Sequence, residues 1–155
     1  MCVTIKIKRG NVYMKKIAII YWSGTGNTEA MAKAVAEGAQ QENIEVSVLN
    51  VAEASMEDII NADAVALGCS SMGAEVLEET EMEPFVLSIE GVISGKPMAL
   101  FGSYGWGNGE WMQDWVARIQ GCGGKVLGEG LITMEMPDAQ GIADCKALGS
   151  ELSKV

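Results

Sequence analysis

Histidine is absent from this sequence, which removes His-based catalytic triads and most transition-metal sites. The four cysteines, Cys2, Cys69, Cys122 and Cys145, form no Cys-x-x-Cys pair. Neither a zinc site nor a disulfide framework is therefore indicated. No apolar run approaches the ~20 residues of a membrane span. The N-terminus lacks the apolar core and small-residue cleavage site of a secretory signal, so a reducing cytoplasm is the expected compartment. Basic residues are few: 11 Lys and Arg face 21 Asp and Glu, for a net charge of −10. Lys6, Lys8 and Arg9 give the first thirteen residues +3 with no acid, so Met14 onward carries −13. Such a surface repels nucleic acid and anionic membrane and steers toward basic protein partners.

What is present centres on Ser23-Gly24-Thr25-Gly26-Asn27-Thr28. An apolar, partly β-branched run, Ile17 to Trp22, precedes it and predicts a buried strand. The Ala-, Met-, Lys- and Glu-rich stretch from Glu29 to Gln41 predicts a helix. A hydroxyl-and-glycine loop between strand and helix suits an oxyanion, because the helix N-terminus offers unpaired N–H groups and a positive dipole end. The same residues would also serve as a plain polar turn. No Lys or Arg lies between Lys16 and Lys33, so this is not a nucleotide-hydrolysing P-loop. Glu29 stands where the third glycine of a dinucleotide fingerprint belongs, which excludes that motif as well.

From Lys16 the pattern alternates. Strands are expected at Ile17–Trp22, Glu45–Asn50, Ala64–Gly68, Pro97–Gly102 and roughly Lys125–Thr133, the last broken by Gly128 and Gly130. Helices are expected at Thr28–Gln41, Met56–Asn61 (with Ser55 and Asp58 resembling a capping box), around Pro84 to Ile89, and at Glu110–Gln120. The last helix starts near Asp138, with Ile142, Cys145, Leu148 and Leu152 on one stripe. Five strands alternating with helices imply one α/β domain over 14–155, a parallel sheet covered on both faces. Ligands of such sheets bind outside the carboxyl ends of the strands. Three loops of unusual composition leave those ends: 23–28, 69–81 and 103–109. Residues 1–13 differ in charge and pattern; an edge strand is one reading, and an N-terminal extension outside the core fold is the one adopted.

The three loops together resemble those of the flavodoxins, FMN-containing electron carriers, and of their short-chain class in particular. Ser23 to Thr28 match the family pattern hydroxyl-x-Thr-Gly-x-Thr, and strand 5 has no long insertion. The resemblance covers Lys15 to about Val155. It implies a doubly wound flavodoxin-like sheet of strand order 2-1-3-4-5. It implies FMN phosphate on Ser23, Gly24, Thr25, Gly26, Asn27, Thr28 and Ser70, with further contacts from Ser71, Ser103, Tyr104, Gly105 and Gly107. The flavin ring is implied to lie between Met72 and Trp106, where stacking and thioether contacts add to area burial. Glu75 matches the carboxylate that bonds the ring N3–H, and Gly73 could offer its carbonyl to N5–H after reduction. In that turn Ala74 would need φ > 0, which costs a non-glycine residue roughly 1–2 kcal/mol.

The implied activity is a low-potential one-electron shuttle between semiquinone and hydroquinone, serving redox enzymes with basic docking surfaces, as a monomer. It is not an enzyme. The alternative is an FMN-dependent NAD(P)H:quinone reductase on the same fold, against which Trp106 over the ring argues. A receiver domain would need an acidic phosphoacceptor where Gly68-Cys69-Ser70 stands. Trp22, Trp111 and Trp115 fall on strand or helix patterns and are expected in the core. Cys69 is expected to be a buried hydrophobe. Glu75, Glu78, Glu79, Glu81 and Glu83 are expected to form a negative rim.

Overall fold

A computed structural model describes residues 14–72 and 76–155; residues 1–13, where an N-terminal extension is expected, and Gly73, Ala74 and Glu75 lie outside the described residues. The expected alternation is present. In chain order the elements are β1 (Lys15–Trp22), α1 (Asn27–Ala39), β2 (Ile44–Asn50), α2 (Met56–Ile60), β3 (Ala64–Cys69), α3 (Met82–Ile89), β4 (Pro97–Tyr104), α4 (Glu110–Gly121), β5 (Lys125–Val126), β6 (Leu131–Met134) and α5 (Ala139–Leu152). The sheet runs β2-β1-β3-β4-β5, and all its ladders are parallel.

The break expected in the fifth strand at Gly128 and Gly130 is present: β5 pairs with the start of β4 and β6 with its end. Gly128 and Gly130 between them have φ of 71° and 89°, a left-handed conformation that glycine adopts freely and that interrupts a ladder.

Burial explains the strand sequences. Ala64-Val-Ala-Leu-Gly-Cys69 in β3 is buried throughout, as a central strand covered on both faces requires. Along β1, Ile17 and Ile19 face the α1/α5 side, while Ala18 and Ile20 face the cluster of Ile59, Phe85, Ile89, Trp111 and Trp115. Helix α5 presents the expected stripe: Cys145 and Leu152 are buried, and Ile142 and Leu148 pack partly against them. Its N-cap is Asp138, whose carboxylate accepts from the Gly141 N–H at 2.8 Å, one of the donors a helix start leaves unpaired.

Helices α1 and α5 touch backbone to backbone. A Cβ at Gly38 would lie 1.9 Å from the Lys146 carbonyl oxygen, and one at Gly149 would lie 1.9 Å from that of Val35. Neither helix can back away without exposing Met31, Val35 and Cys145. Ser55 and Asp58 make the anticipated link at the start of α2, with the Ser55 N–H donating to the Asp58 carboxylate at 2.8 Å. Among the described residues, no helix is long and apolar enough to cross a membrane.

Candidate functional site

Every strand of the sheet ends on the same edge, and there the expected loops converge on a cleft of about 460 Å³. Small-molecule sites are typically about 300–1,000 Å³. Eleven residues line it: Trp22, Gly24, Thr25, Asn27, Ser70, Ser71, Met72, Ser103, Tyr104, Gly105 and Glu135. Nine of them are among the residues singled out by sequence.

One wall is the start of α1. Gly26 is its N-cap, with φ 98° and ψ −8° and no side-chain cap on the helix. Ser23 Oγ accepts from the Gly26 N–H at 3.0 Å, which folds the loop back on itself. The first turn of α1 thus keeps free donors and the positive dipole end beside the cleft, the arrangement a phosphate requires.

The floor is a chain of hydrogen bonds that joins the separate loops. Thr28 is fully buried, and its hydroxyl meets Ser70 Oγ at 2.7 Å and accepts from the Ser103 N–H at 3.3 Å. The Ser103 carbonyl accepts from Ser71 N–H at 3.0 Å, and the Ser103 hydroxyl donates to the Glu135 carbonyl at 2.8 Å. Thr28 and Ser103 therefore tie α1, the ends of β3 and β4, and the segment after β6 into one unit. Thr25 and Asn27 line the cleft itself.

The apolar end is built from Trp22, Met72 and Tyr104. Tyr104 leans on Trp111, with ring centroids 5.9 Å apart and a 48° tilt, within the range of a favourable aromatic pair. Met72 and Val76 pair as an antiparallel bridge through two bonds of 3.0 and 3.1 Å. Gly73, Ala74 and Glu75, three expected site residues, lie outside the described residues. Trp106, one position beyond Gly105, is 60% exposed; Ser23, Gly26, Thr28, Trp106 and Gly107 do not line the cleft.

Sequence reading missed two lining residues. Trp22 was expected in the core and does pack partly against it, yet it also lines the cleft. Glu135 lies between β6 and α5 and carries no compositional signal of its own. Both sit at the carboxyl end of a strand, the rule that located the three loops; applied to every strand, it would have found them.

The flavodoxin family model matches residues 19–149. A flavodoxin of Clostridium beijerinckii is 46% identical over 137 residues, which span 88% of this chain and 99% of its own. The chain belongs to the flavodoxin family. A Megasphaera elsdenii flavodoxin is 40% identical over 138 residues, or 89% of this chain and 98% of its own. The solution structure of two-electron reduced Megasphaera elsdenii flavodoxin aligns with a TM-score of 0.81 at 39% identity, covering 90% of this chain and 99% of that one. A flavodoxin from the domain Archaea aligns at 0.83 with 29% identity, covering 90% and 96%. Flavodoxins are electron-transfer proteins that bind FMN and are not enzymes, and this chain is an FMN-binding electron carrier.

The cleft fits that cofactor. Its lining offers the apolar side chains of Trp22, Met72 and Tyr104 for a ring, and hydroxyl and helix N–H donors for a phosphate monoester. The acids expected to form the family's negative rim divide. Glu78 is only 6% exposed, and its carboxylate accepts from the Thr80 N–H (2.9 Å), Thr80 hydroxyl, Glu81 N–H (2.7 Å) and Met82 N–H (3.0 Å). Burial alone would push its carboxyl up, but these bonds outweigh burial and hold it below the usual glutamate range. Glu78 is thus the cap of α3 rather than a solvated rim residue.

Glu83 is likewise engaged. Arg118 grips it through two bonds of 2.8 Å and reaches Glu90 at 2.7 Å, which holds the Glu83 carboxyl low. Glu79 and Glu81 remain exposed. Burial pushes the Cys69 thiol up to about 12, so this fully buried sulfur is no nucleophile at neutral pH. Its position matches the buried hydrophobe expected of it.

Proposed function

We propose that the flavodoxin cofactor sits in this cleft with its phosphate on the loop 23–28 and Ser70, its ring against Met72 and Trp106, and its ring edge served by Gly73 and Glu75. The observation that carries this reading is the uncapped start of α1 facing a cleft with no cationic lining residue. Backbone N–H groups and hydroxyls can hold a phosphate dianion without a counter-cation. Bound FMN supplies the one-electron chemistry; the chain binds, orients and electrostatically tunes it. Thr25 and Asn27 offer donors to the phosphate from the cleft surface. Thr28 and Ser103, saturated within the protein, fix the spacing of the walls.

Trp106, exposed between Gly105 and Gly107, fills no core, which supports the reading of its indole as a cover for the ring. A second flavin face closed in that way would leave no room for a nicotinamide or quinone. Negative charge around the cleft disfavours adding the last electron, which makes the carrier strongly reducing. We assign its donors and acceptors to redox proteins with basic docking faces.

Reconstitution of the apoprotein tests the site. FMN should bind much more tightly than riboflavin or FAD, and the holoprotein should not oxidise NADPH by itself. Equal affinity for FMN and riboflavin would remove the phosphate from the loop 23–28.

A further inference from the structure

The indole N–H groups of Trp111 and Trp115 meet no acceptor among the described residues, although both side chains are at most 2% exposed. A buried indole N–H usually finds a partner, and one that does not is destabilising. The two residues stand four apart on α4, which puts them on one face of the helix. Both line the same small cavity of about 170 Å³, with Val76 and Leu77 as further apolar wall. Its charged lining is negative in sum. Arg118 donates to Glu83 and Glu90, and Asp114 adds a second carboxylate beside that of Glu83. The net charge thus disfavours an anion, and the two indole donors disfavour a cation. A neutral acceptor suits both. An apolar cavity of about 150 Å³ holds benzene, so an occupant here has about six non-hydrogen atoms.

This cavity and the cofactor cleft are joined through their walls. Met72 lines the cleft and Val76 the cavity, and the two are paired in the antiparallel bridge. Tyr104 lines the cleft and Trp111 the cavity, and their rings pack together.

We propose that the cavity beside α4 is a second binding site, for a small neutral carbonyl compound, and that its occupancy is coupled to that of the cofactor cleft. The carbonyl oxygen accepts from an indole N–H, and the hydrocarbon body packs on Val76, Leu77 and the indole rings. Filling the cavity fixes Val76 and Trp111, and through them Met72 and Tyr104 in the cleft wall. The coupling, though not the site itself, rests on the FMN reading above. By linkage, each ligand must change the other's affinity by the same factor.

Cyclopentanone and its hydrocarbon analogue methylenecyclopentane test it, with the indole N–H signals of the isotope-labelled protein followed by NMR. Cyclopentanone should move the N–H proton of Trp111 or Trp115 downfield in a saturable manner, and the hydrocarbon should move neither downfield. Trp111→Phe and Trp115→Phe each keep an aromatic ring and remove one donor. At least one of them should weaken cyclopentanone about two- to tenfold, the worth of one net hydrogen bond, and the hydrocarbon less than about twofold. Saturating cyclopentanone should tighten FMN binding to the wild-type apoprotein about threefold, and FMN should tighten cyclopentanone by the same factor. The absence of a downfield shift, equal losses for both probes in both variants, or an FMN affinity unmoved or weakened by the ketone would overturn the proposal. Failure of the apoprotein to bind FMN at all would instead overturn the cofactor reading, with the indole shifts still testing the site.

Discussion

The hydroxyls of the phosphate loop look equivalent in sequence, and the structure separates them. Thr25 lines the cleft, whereas Thr28 is buried and bonded to Ser70 and Ser103. Thr25→Ala should therefore leave Tm unchanged and weaken FMN more than riboflavin, since a hydrogen bond to a charged group is worth about 1.5–3 kcal/mol. Thr28→Ala should lower stability by about 1–3 kcal/mol, because it strands the Ser103 N–H and Ser70 hydroxyl in a buried site, and it should weaken both flavins. Ligand titration beside thermal unfolding of the two variants separates the roles, and a Thr28→Ala protein of unchanged Tm would contradict this division. The motif's place was legible because glycine and hydroxyl residues between a strand and a helix leave a composition signature. Which hydroxyl turns inward was not, since that depends on loops 42 and 75 positions downstream.

At the scale of single elements, α3 begins without a local cap: Glu81, its N-cap residue, makes no side-chain cap bond. Glu78 supplies the missing acceptor from three positions upstream. Its carboxyl lies lower in the folded chain than its ordinary value of 4.5, so the stabilisation is present above that value. It is lost as pH falls through the folded value. Glu78→Gln should cost about 0.5–2 kcal/mol at neutral pH, the range of a lost helix cap. It should also flatten the acid limb below about pH 4.5, seen by chemical denaturation across pH 2–7; an acid limb as steep as the wild type's would exclude Glu78 as its source. The Ser55–Asp58 pair at α2 was readable because the residues of that motif stand at fixed spacing. Glu78 was not, because one glutamate in an acidic run gives no sign that it points inward. The division of strand 5 was readable as well, since two glycines within an apolar stretch mark an interrupted ladder.

Over the whole molecule, the lysines among the strand-flanking residues favour one edge of the sheet. Lys15, Lys16, Lys96 and Lys125 stand where their strands begin, beside the acids Glu45 and Asp63, whereas Glu79, Glu81, Glu110, Glu135 and Asp138 follow the strand ends with no lysine among them. A partner with a basic face would thus meet the cleft end first. Electron transfer to such a partner should slow steeply as salt rises, because the Debye length is only about 10 Å at 0.1 M. Stopped-flow rates across a salt series check this, and a flat profile would exclude acidic steering. The excess of acid was plain from composition, but its polarity needed the strand directions, which put sequence-distant lysines on one edge.

The backbone contact at Gly38 and Gly149 has a consequence for chain synthesis. Helix α1 carries the phosphate loop at its head, but its inward face is completed by α5, which begins a hundred residues after α1 ends. A polypeptide emerging from the ribosome therefore displays the cradle sequence long before the cradle can hold its shape. Until α5 emerges, Met31 and Val35 stay uncovered and the groove that receives Gly149 stands open. If the loop 23–28 holds the phosphate as proposed, cofactor capture waits for the completed domain, and a chain stalled before Ala139 should not retain FMN.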